Sequence, residues 1–211
     1  ASVGIVHLGL GAFARAHLAA VNDDALEAGA AAEWGIHGVS LRHADVRDAL
    51  LPQQGLYSLR LSDAAGTQTR IVGSVVSCAV APEDPQAVVS AIAHADTRIV
   101  SLTVTEKGYC HDPATRALNV AHPDIAHDLA DALAPCSAIG LVVRGLQARR
   151  RPLTLLSLDN LPANGDTLRG LVLSFAERLD TDLARWVERE CTFPNSMVDR
   201  IVPRTTEGDL A

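Results

Sequence analysis

The sequence predicts an α/β protein, a Rossmann-type doubly wound and mostly parallel sheet with a β-hairpin insertion. Three observations carry that expectation. The strand-like segments are apolar throughout rather than alternating, as strands covered on both faces must be. They alternate with stretches of helical periodicity, the order that builds a parallel sheet with crossover helices. The first of them runs into a glycine turn that opens a helix.

Each element follows from local composition. Residues 2–8 (SVGIVHL) are short, apolar and β-branched, and end at Gly9, so they read as a buried strand. Ala, Leu and Val then recur at helical spacing over 14–28, and 35–41 (GIHGVSL) reads as the second strand. Residues 57–61 and 70–76 flank a turn over 63–67 that contains Gly66, which predicts a hairpin. Pro82 and Pro85 suit the first turn of a helix over 83–93. The run 98–104 (RIVSLTV) is a strongly apolar strand, followed by helices over 124–133 and 137–150. A further buried strand spans 153–158 (LTLLSL), with helices over 167–178 and 181–190 behind it. The mixed apolar segment 193–202 is expected to form a last strand. No internal repeat or low-complexity linker interrupts the 211 residues, which suit one domain over 1–211.

Composition narrows the partners. Hydrophobic residues make up 48% of the chain and aromatics only 3%, so the core is built from Ala, Val, Leu and Ile. A formal net charge of -7 argues against nucleic acid and anionic membranes, both of which reward Lys and Arg. The basic run Arg149, Arg150, Arg151 reads as a solvated helix end. No apolar run has the roughly 18 residues a membrane span needs. Cys78, Cys110, Cys136 and Cys191 show no CxxC pairing, so reduced thiols in the cytoplasm are expected. On the same spacing no metal site is expected, and Cys110-His111 reads as a chance pair.

The turn Gly9-Leu10-Gly11-Ala12-Phe13-Ala14 is the first chemical feature. Gly9 would permit the tight bend, and Gly11 would let backbone approach a pyrophosphate. The helix start would add unpaired N–H groups. Ala14 stands where a third glycine serves helix–strand packing. The acid that usually meets the adenosine ribose should follow the second strand. Arg42 stands there instead, with Asp45 three residues on. Arginine suits adenine stacking or a 2′-phosphate, so NAD and NADP both stay open on physical grounds.

Four segments then resemble one family, in its order: IVHLGLGAFARAH over 5–17, SLTVTEKGY over 101–109, SLDNLPANG over 157–165 and TFPNSMVDRIVP over 192–203. They resemble the long-chain, zinc-independent mannitol dehydrogenase family, with wording such as SLTVTEKGYC closest to its fructuronate reductase branch. The resemblance implies NAD-dependent exchange of a secondary alcohol and a ketone on a polyol or sugar acid: D-mannitol and D-fructose, or D-mannonate and D-fructuronate. It also implies a second, mostly helical domain that carries a catalytic lysine with asparagine and histidine helpers. No match to that lysine motif occurs here, so the second domain is expected to lie outside this chain and the isolated chain to be inactive.

By the same match, Asn160 would donate to the reacting oxygen, an amide donating without titrating. Asp199 would sit near the substrate, with Asn195 a weaker candidate. Glu106 would gate or relay protons for the absent lysine. The candidate cofactor residues are Gly9, Leu10, Gly11, Ala12, Phe13 and Arg15 in the fingerprint segment, Arg42 and Asp45 after the second strand, and Thr105 after the fourth. Lys107 reads as an exposed loop residue rather than a base, Asn164 as a helix cap and His17 as a packed or surface residue rather than a brace or phosphate contact. Two other readings stand beside this one. A chain without the lysine motif suits a stand-alone dinucleotide-binding module. A hydroxyacid or sugar-phosphate dehydrogenase would need phosphate-binding arginines at the ligand edge, whereas Arg144 and Arg149 to Arg151 fall on a predicted helix away from it.

Overall fold

The computed structural model describes residues 1–64, 66–203 and 206. Ala65, in the predicted hairpin turn, and residues 204, 205 and 207–211 of the predicted domain lie outside the described residues.

Strand β1 (Val3–Leu8) leads through the glycine turn into helices α1 (Ala12–Ala16) and α2 (Leu18–Glu27). The single helix expected over 14–28 is thus two, broken at His17 (φ -118°, ψ -74°). A distant side chain stands at the break: the Tyr57 hydroxyl donates to the Arg15 carbonyl at 2.6 Å. A side chain inserted into the helical ladder in this way bends or ends a helix.

Strand β2 (Gly35–Ser40) is followed by a short helix, α3 (Asp45–Leu50), that the sequence reading did not separate from its loop. The hairpin forms as expected from β3 (Tyr57–Asp63) and β4 (Gly66–Val72), paired antiparallel as a separate two-stranded sheet. Its predicted second arm, 70–76, is two elements. The chain breaks at Gly73 and Ser74 and begins a new parallel strand, β5 (Val75–Val80). The break is fixed from α2, because Asp23 accepts from the Gly73 N–H and the Ser74 hydroxyl donates to the Ala19 carbonyl.

Helix α4 (Pro85–Ala93) is capped by Asp84, whose carboxylate accepts from the Ala87 N–H. Strand β6 (Ile99–Leu102) ends in a single helical turn, α5 (Thr105–Gly108). Helices α6 (Pro123–Ala130) and α7 (Ala138–Arg149) precede β7 (Thr154–Ser157), and α8 (Asn164–Leu179) and α9 (Thr181–Glu190) follow it.

The main sheet is parallel, with order β5-β2-β1-β6-β7. Neighbouring side chains of β1 enter different cores, as strand alternation requires. Val6 and Leu8 join the larger one, with β6, β7 and helices α4 and α6 to α9. Ile5 joins the smaller one, with Ala19, Leu50, Val72 and Val75. The last strand expected over 193–202 does not form among the described residues. Its remnant is a parallel bridge between Thr192 and Thr154. Beyond it Pro194 has no N–H to give, and Asn195 and Ser196 bond to α8 instead. Among the described residues no helix is long and apolar enough to cross a membrane.

Candidate functional site

From β1 the chain builds outward through β2 and β5, then returns to lay β6 and β7 on the other side. The strand order therefore reverses between β1 and β6, where open α/β sheets place their ligand crevice. The glycine turn occupies that point, and its two glycines differ in kind. Gly9 has φ +95°, and a Cβ there would be driven into the Thr103 carbonyl oxygen. Gly11 lies in extended backbone at the head of α1, and a Cβ there would meet only the Gly9 oxygen, at 3.8 Å. Packing demands the first glycine. The second faces open space, as a bend that admits a phosphate group requires.

Beneath the turn lies a residue that sequence reasoning passed over. His7, fully buried on β1, places Nδ1 2.8 Å from the Ser101 hydroxyl and Nε2 3.2 Å from the Gly9 carbonyl. A carbonyl only accepts, so Nε2 carries the proton and Nδ1 accepts from Ser101. Thr103 completes the brace, its hydroxyl donating to the Gly9 carbonyl at 2.7 Å. Burial pulls the His7 pKa down from 6.5 to about 4. The native state therefore keeps His7 neutral where the unfolded chain protonates it. Its stability is complete above pH 6.5 and is lost progressively down to about pH 4, by about 3 kcal/mol in all. Urea midpoints at pH 7 and pH 4.5 should show this loss, and His7→Gln should shrink it. Equal pH dependence in the variant would refute the assignment.

The ends of β6 and β7 are clamped together by Asp159. Its carboxylate accepts from the N–H groups of Val104 and Thr105, each at 2.9 Å, and from the Tyr109 hydroxyl at 2.8 Å. That hydroxyl also meets the Ser157 hydroxyl at 2.6 Å. Burial, then the charge of Asp159, push the Tyr109 pKa up, so the phenol stays a donor. The clamp holds Thr105 in left-handed backbone (φ +63°), which costs roughly 1–3 kcal/mol outside glycine.

The remaining predicted residues divide by location. Asn160 and Thr105 are exposed at the ends of β7 and β6, and the Asn160 amide has no partner among the described residues. Glu106 reaches a small cavity of about 110 Å³ with Arg116, Leu161 and His111, whose Nε2 stands 3.9 Å away. Asp199 lines a different cleft of about 510 Å³, with Phe13, His17, Leu18 and Leu158. The structure thus sets Glu106 and Asp199 in separate depressions. Leu10 is buried in the smaller core, so only its backbone is offered to the turn. Ala12 is exposed, and Phe13 stacks on His17 with centroids 4.4 Å apart. Both ring nitrogens of His17 are buried without a partner among the described residues. Arg15 donates to the Leu10 carbonyl at 2.9 Å and braces the turn. Arg42 and Asp45 are exposed beyond β2, free of ion pairs among the described residues, and Lys107 is exposed as expected.

Two asparagines hold the C-terminal segment against α8. Asn164 is buried, donating to the Ser196 hydroxyl at 2.8 Å and accepting from the Ser196 N–H at 2.9 Å. The N–H groups at the start of α8 are capped by Asn195, which accepts from Gly165 and Asp166. The cap expected of Asn164 thus comes from Asn195, 30 residues away, a pairing that no local pattern announces.

Cysteines without a paired spacing in the chain meet other donor types in the fold. Donor atoms of Cys110, His122 and Asp124 lie within 4.8 Å of one another, as do those of His127, Asp128 and Cys136. Burial, then the charges of Asp124 and Asp128, push the Cys110 thiol up to about 11. Burial and Asp128 push Cys136 up to about 12.

Residues 3–210 match the family described as the mannitol dehydrogenase Rossmann domain. The chain belongs to the mannitol dehydrogenase family. A mannitol 2-dehydrogenase of Phaeosphaeria nodorum is 44% identical over 99% of this chain, and one of Pyricularia oryzae 42% identical over 98%. The chain spans only 38% and 43% of those relatives' own length. Among solved structures, the Pseudomonas fluorescens mannitol 2-dehydrogenase in ternary complex with NAD and D-mannitol superposes with a TM-score of 0.93 at 38% identity. That match covers 98% of this chain and 44% of that one. A D-sorbitol dehydrogenase in substrate-free form gives 0.92 at 35% identity, covering 99% and 45%. The parallel sheet with its hairpin matches the fold of these relatives.

Proposed function

We propose that this chain is the cofactor-binding part of an NAD-dependent polyol dehydrogenase that interconverts D-mannitol and D-fructose. The observation that carries the reading is the pair of glycines at the switch point, one required by packing and one facing open space. The ternary complex of the similar Pseudomonas protein supports the choice of NAD and mannitol. Bound there, the nicotinamide supplies the hydride chemistry.

This chain's own residues provide position and polarity. The 9–13 backbone receives the pyrophosphate, with Arg15 holding the turn in shape. Arg42 and Asp45 flank the adenosine end, where a free arginine leaves NADP a competitor. Thr105, fixed by Asp159, borders the nicotinamide. Asn160 donates to the oxygen that gains charge as the ketone is reduced. Glu106 passes protons toward solvent, and Asp199 meets the substrate from the larger cleft. Residues outside this chain, in a helical domain that the longer relatives have room for, supply the lysine base. The four cysteines are free, in keeping with a cytoplasmic location. A sugar acid, D-fructuronate, is the second substrate reading, resting on the wording SLTVTEKGYC.

The test is turnover by the full-length protein on mannitol, fructose and fructuronate with NAD and NADP. No turnover on any of these would end the proposal. Asn160→Ala is expected to cut kcat about 10²–10³-fold with little change in cofactor affinity, as loss of one oxyanion donor does elsewhere. A kcat within threefold of the parent would remove Asn160 from the chemistry.

A further inference from the structure

The small cavity of about 110 Å³ beyond β6 and β7 is lined from three directions. Glu106 comes from α5, Thr167 from α8, and the loop 111–118 brings His111 and Arg116. Backbone fixes that loop. His111 bridges Leu118 in antiparallel fashion, and the Arg116 N–H donates to the Asp112 carbonyl at 2.7 Å. The Asp112 carboxylate is turned back on the loop, accepting from the N–H groups of Ala114 and Thr115. Arg116 is left exposed, with no ion pair among the described residues. His111 is the informative member. Its side chain is only 6% exposed, and Nδ1 is buried with no partner among the described residues. Nε2 stands 3.9 Å from the Glu106 carboxylate, too far for a hydrogen bond. A buried polar group without a partner is costly, and one that lines a cavity marks where an outside partner belongs.

We propose that this cavity binds a small 2-hydroxycarboxylate, a carboxylate whose neighbouring carbon bears a hydroxyl. Arg116 takes the carboxylate, since guanidinium and carboxylate match as planar, charge-assisted partners. The Thr167 hydroxyl and the His111 imidazole donate to the same group. The Glu106 carboxylate only accepts, so it receives the ligand hydroxyl and repels a second negative charge. Pro113, Leu161 and Pro162 wall the carbon atoms, a contact that an inorganic anion would not use. An apolar cavity of about 150 Å³ takes benzene with its six carbons, so one of about 110 Å³ suits a ligand of about five heavy atoms. Two sources share this chemistry: a free hydroxy acid, and the acid end of a sugar-acid substrate whose ketone lies at Asn160, next to Leu161. The second source rests on the function proposed above, and the first does not.

Titration of the full-length protein with glycolate, followed by ligand-observed NMR, tests the site. Glycolate should bind with a Kd of about 1–10 mM, the range open to a ligand of this size. Ethylene glycol, which lacks the carboxylate, should bind about tenfold or more weakly, and so should glycolate to Arg116→Met. Arg116 is exposed, so the far-ultraviolet spectrum of that variant should match the parent's. Kinetics separate the two sources. If the acid end of a substrate fills the cavity, glycolate competes with D-mannonate. Arg116→Met then raises the KM for D-mannonate about tenfold and leaves that for D-mannitol unmoved. If a free hydroxy acid fills it, glycolate binds without competing and neither KM moves. No glycolate binding up to about 100 mM overturns the site. So does equal binding by the parent and Arg116→Met, or by glycolate and ethylene glycol. A full-length protein inactive on every polyol and sugar acid would end the dehydrogenase reading, while the glycolate titration would still decide the cavity.

Discussion

Replacing Asp159 with alanine is expected to lower the unfolding free energy by about 3 kcal/mol, since one buried hydroxyl and two partly buried N–H groups lose their acceptor at roughly 1 kcal/mol or more each. The donors are the N–H groups of Val104 and Thr105 and the Tyr109 hydroxyl. For a chain of this size the melting temperature should fall by roughly 10 °C. Asp159→Asn should recover only part of the loss, because its NH₂ would face one of the donors that a carboxylate oxygen now receives. The effect should extend to the site, since Thr105 keeps its left-handed backbone only while its N–H is held. Urea denaturation measures the first effect and cofactor affinity the second. A stability loss under 1 kcal/mol in the alanine variant would show that β6 and β7 are joined by something else.

The second large effect separates the two glycines. Gly11→Val should bind NAD more than a hundredfold more weakly while melting within a few degrees of the parent. Its backbone (φ -82°) accepts any residue, and no protein atom other than the Gly9 oxygen stands within 4 Å of the new Cβ. Gly9→Val should instead cost at least 3 kcal/mol of stability, through its positive φ and the collision with the Thr103 carbonyl. Calorimetry with NAD and thermal melts on both variants read the two effects independently. Unchanged affinity in Gly11→Val would overturn the placement of the pyrophosphate.

Much of this architecture is legible in the chain because burial on both faces leaves a plain mark. The segments holding Val6, Val39, Val100 and Leu155 are mostly apolar without alternation, and each is a strand of the main sheet. The same uniformity hides where one strand ends and the next begins. Residues 70–76 read as one arm, and only Asp23 and Ala19, some 50 residues earlier, fix the break at Gly73 and Ser74. The helix break at His17 depends on the hydroxyl of Tyr57, 42 residues away. The glycine turn is legible because its chemistry is local. The supports beneath it are not: His7 reads as one more strand residue until Ser101 and Thr103 are laid beside it. Asp159 shows a similar limit. Its place after a strand marks it as a ligand-edge residue, yet its carboxylate is spent on backbone, and the neighbouring Asn160 is the one left free.

The clamp at Asp159 also has a consequence for biosynthesis. Its acceptors serve amides made 54 and 55 residues earlier. At about 5–20 residues per second, that separation is roughly 3–10 s of translation. Throughout that interval a nascent chain can hold the glycine bend while the amides of Val104 and Thr105 go without their partner. Slow codons placed between residues 105 and 159 would lengthen this interval, and ones placed before residue 104 would not.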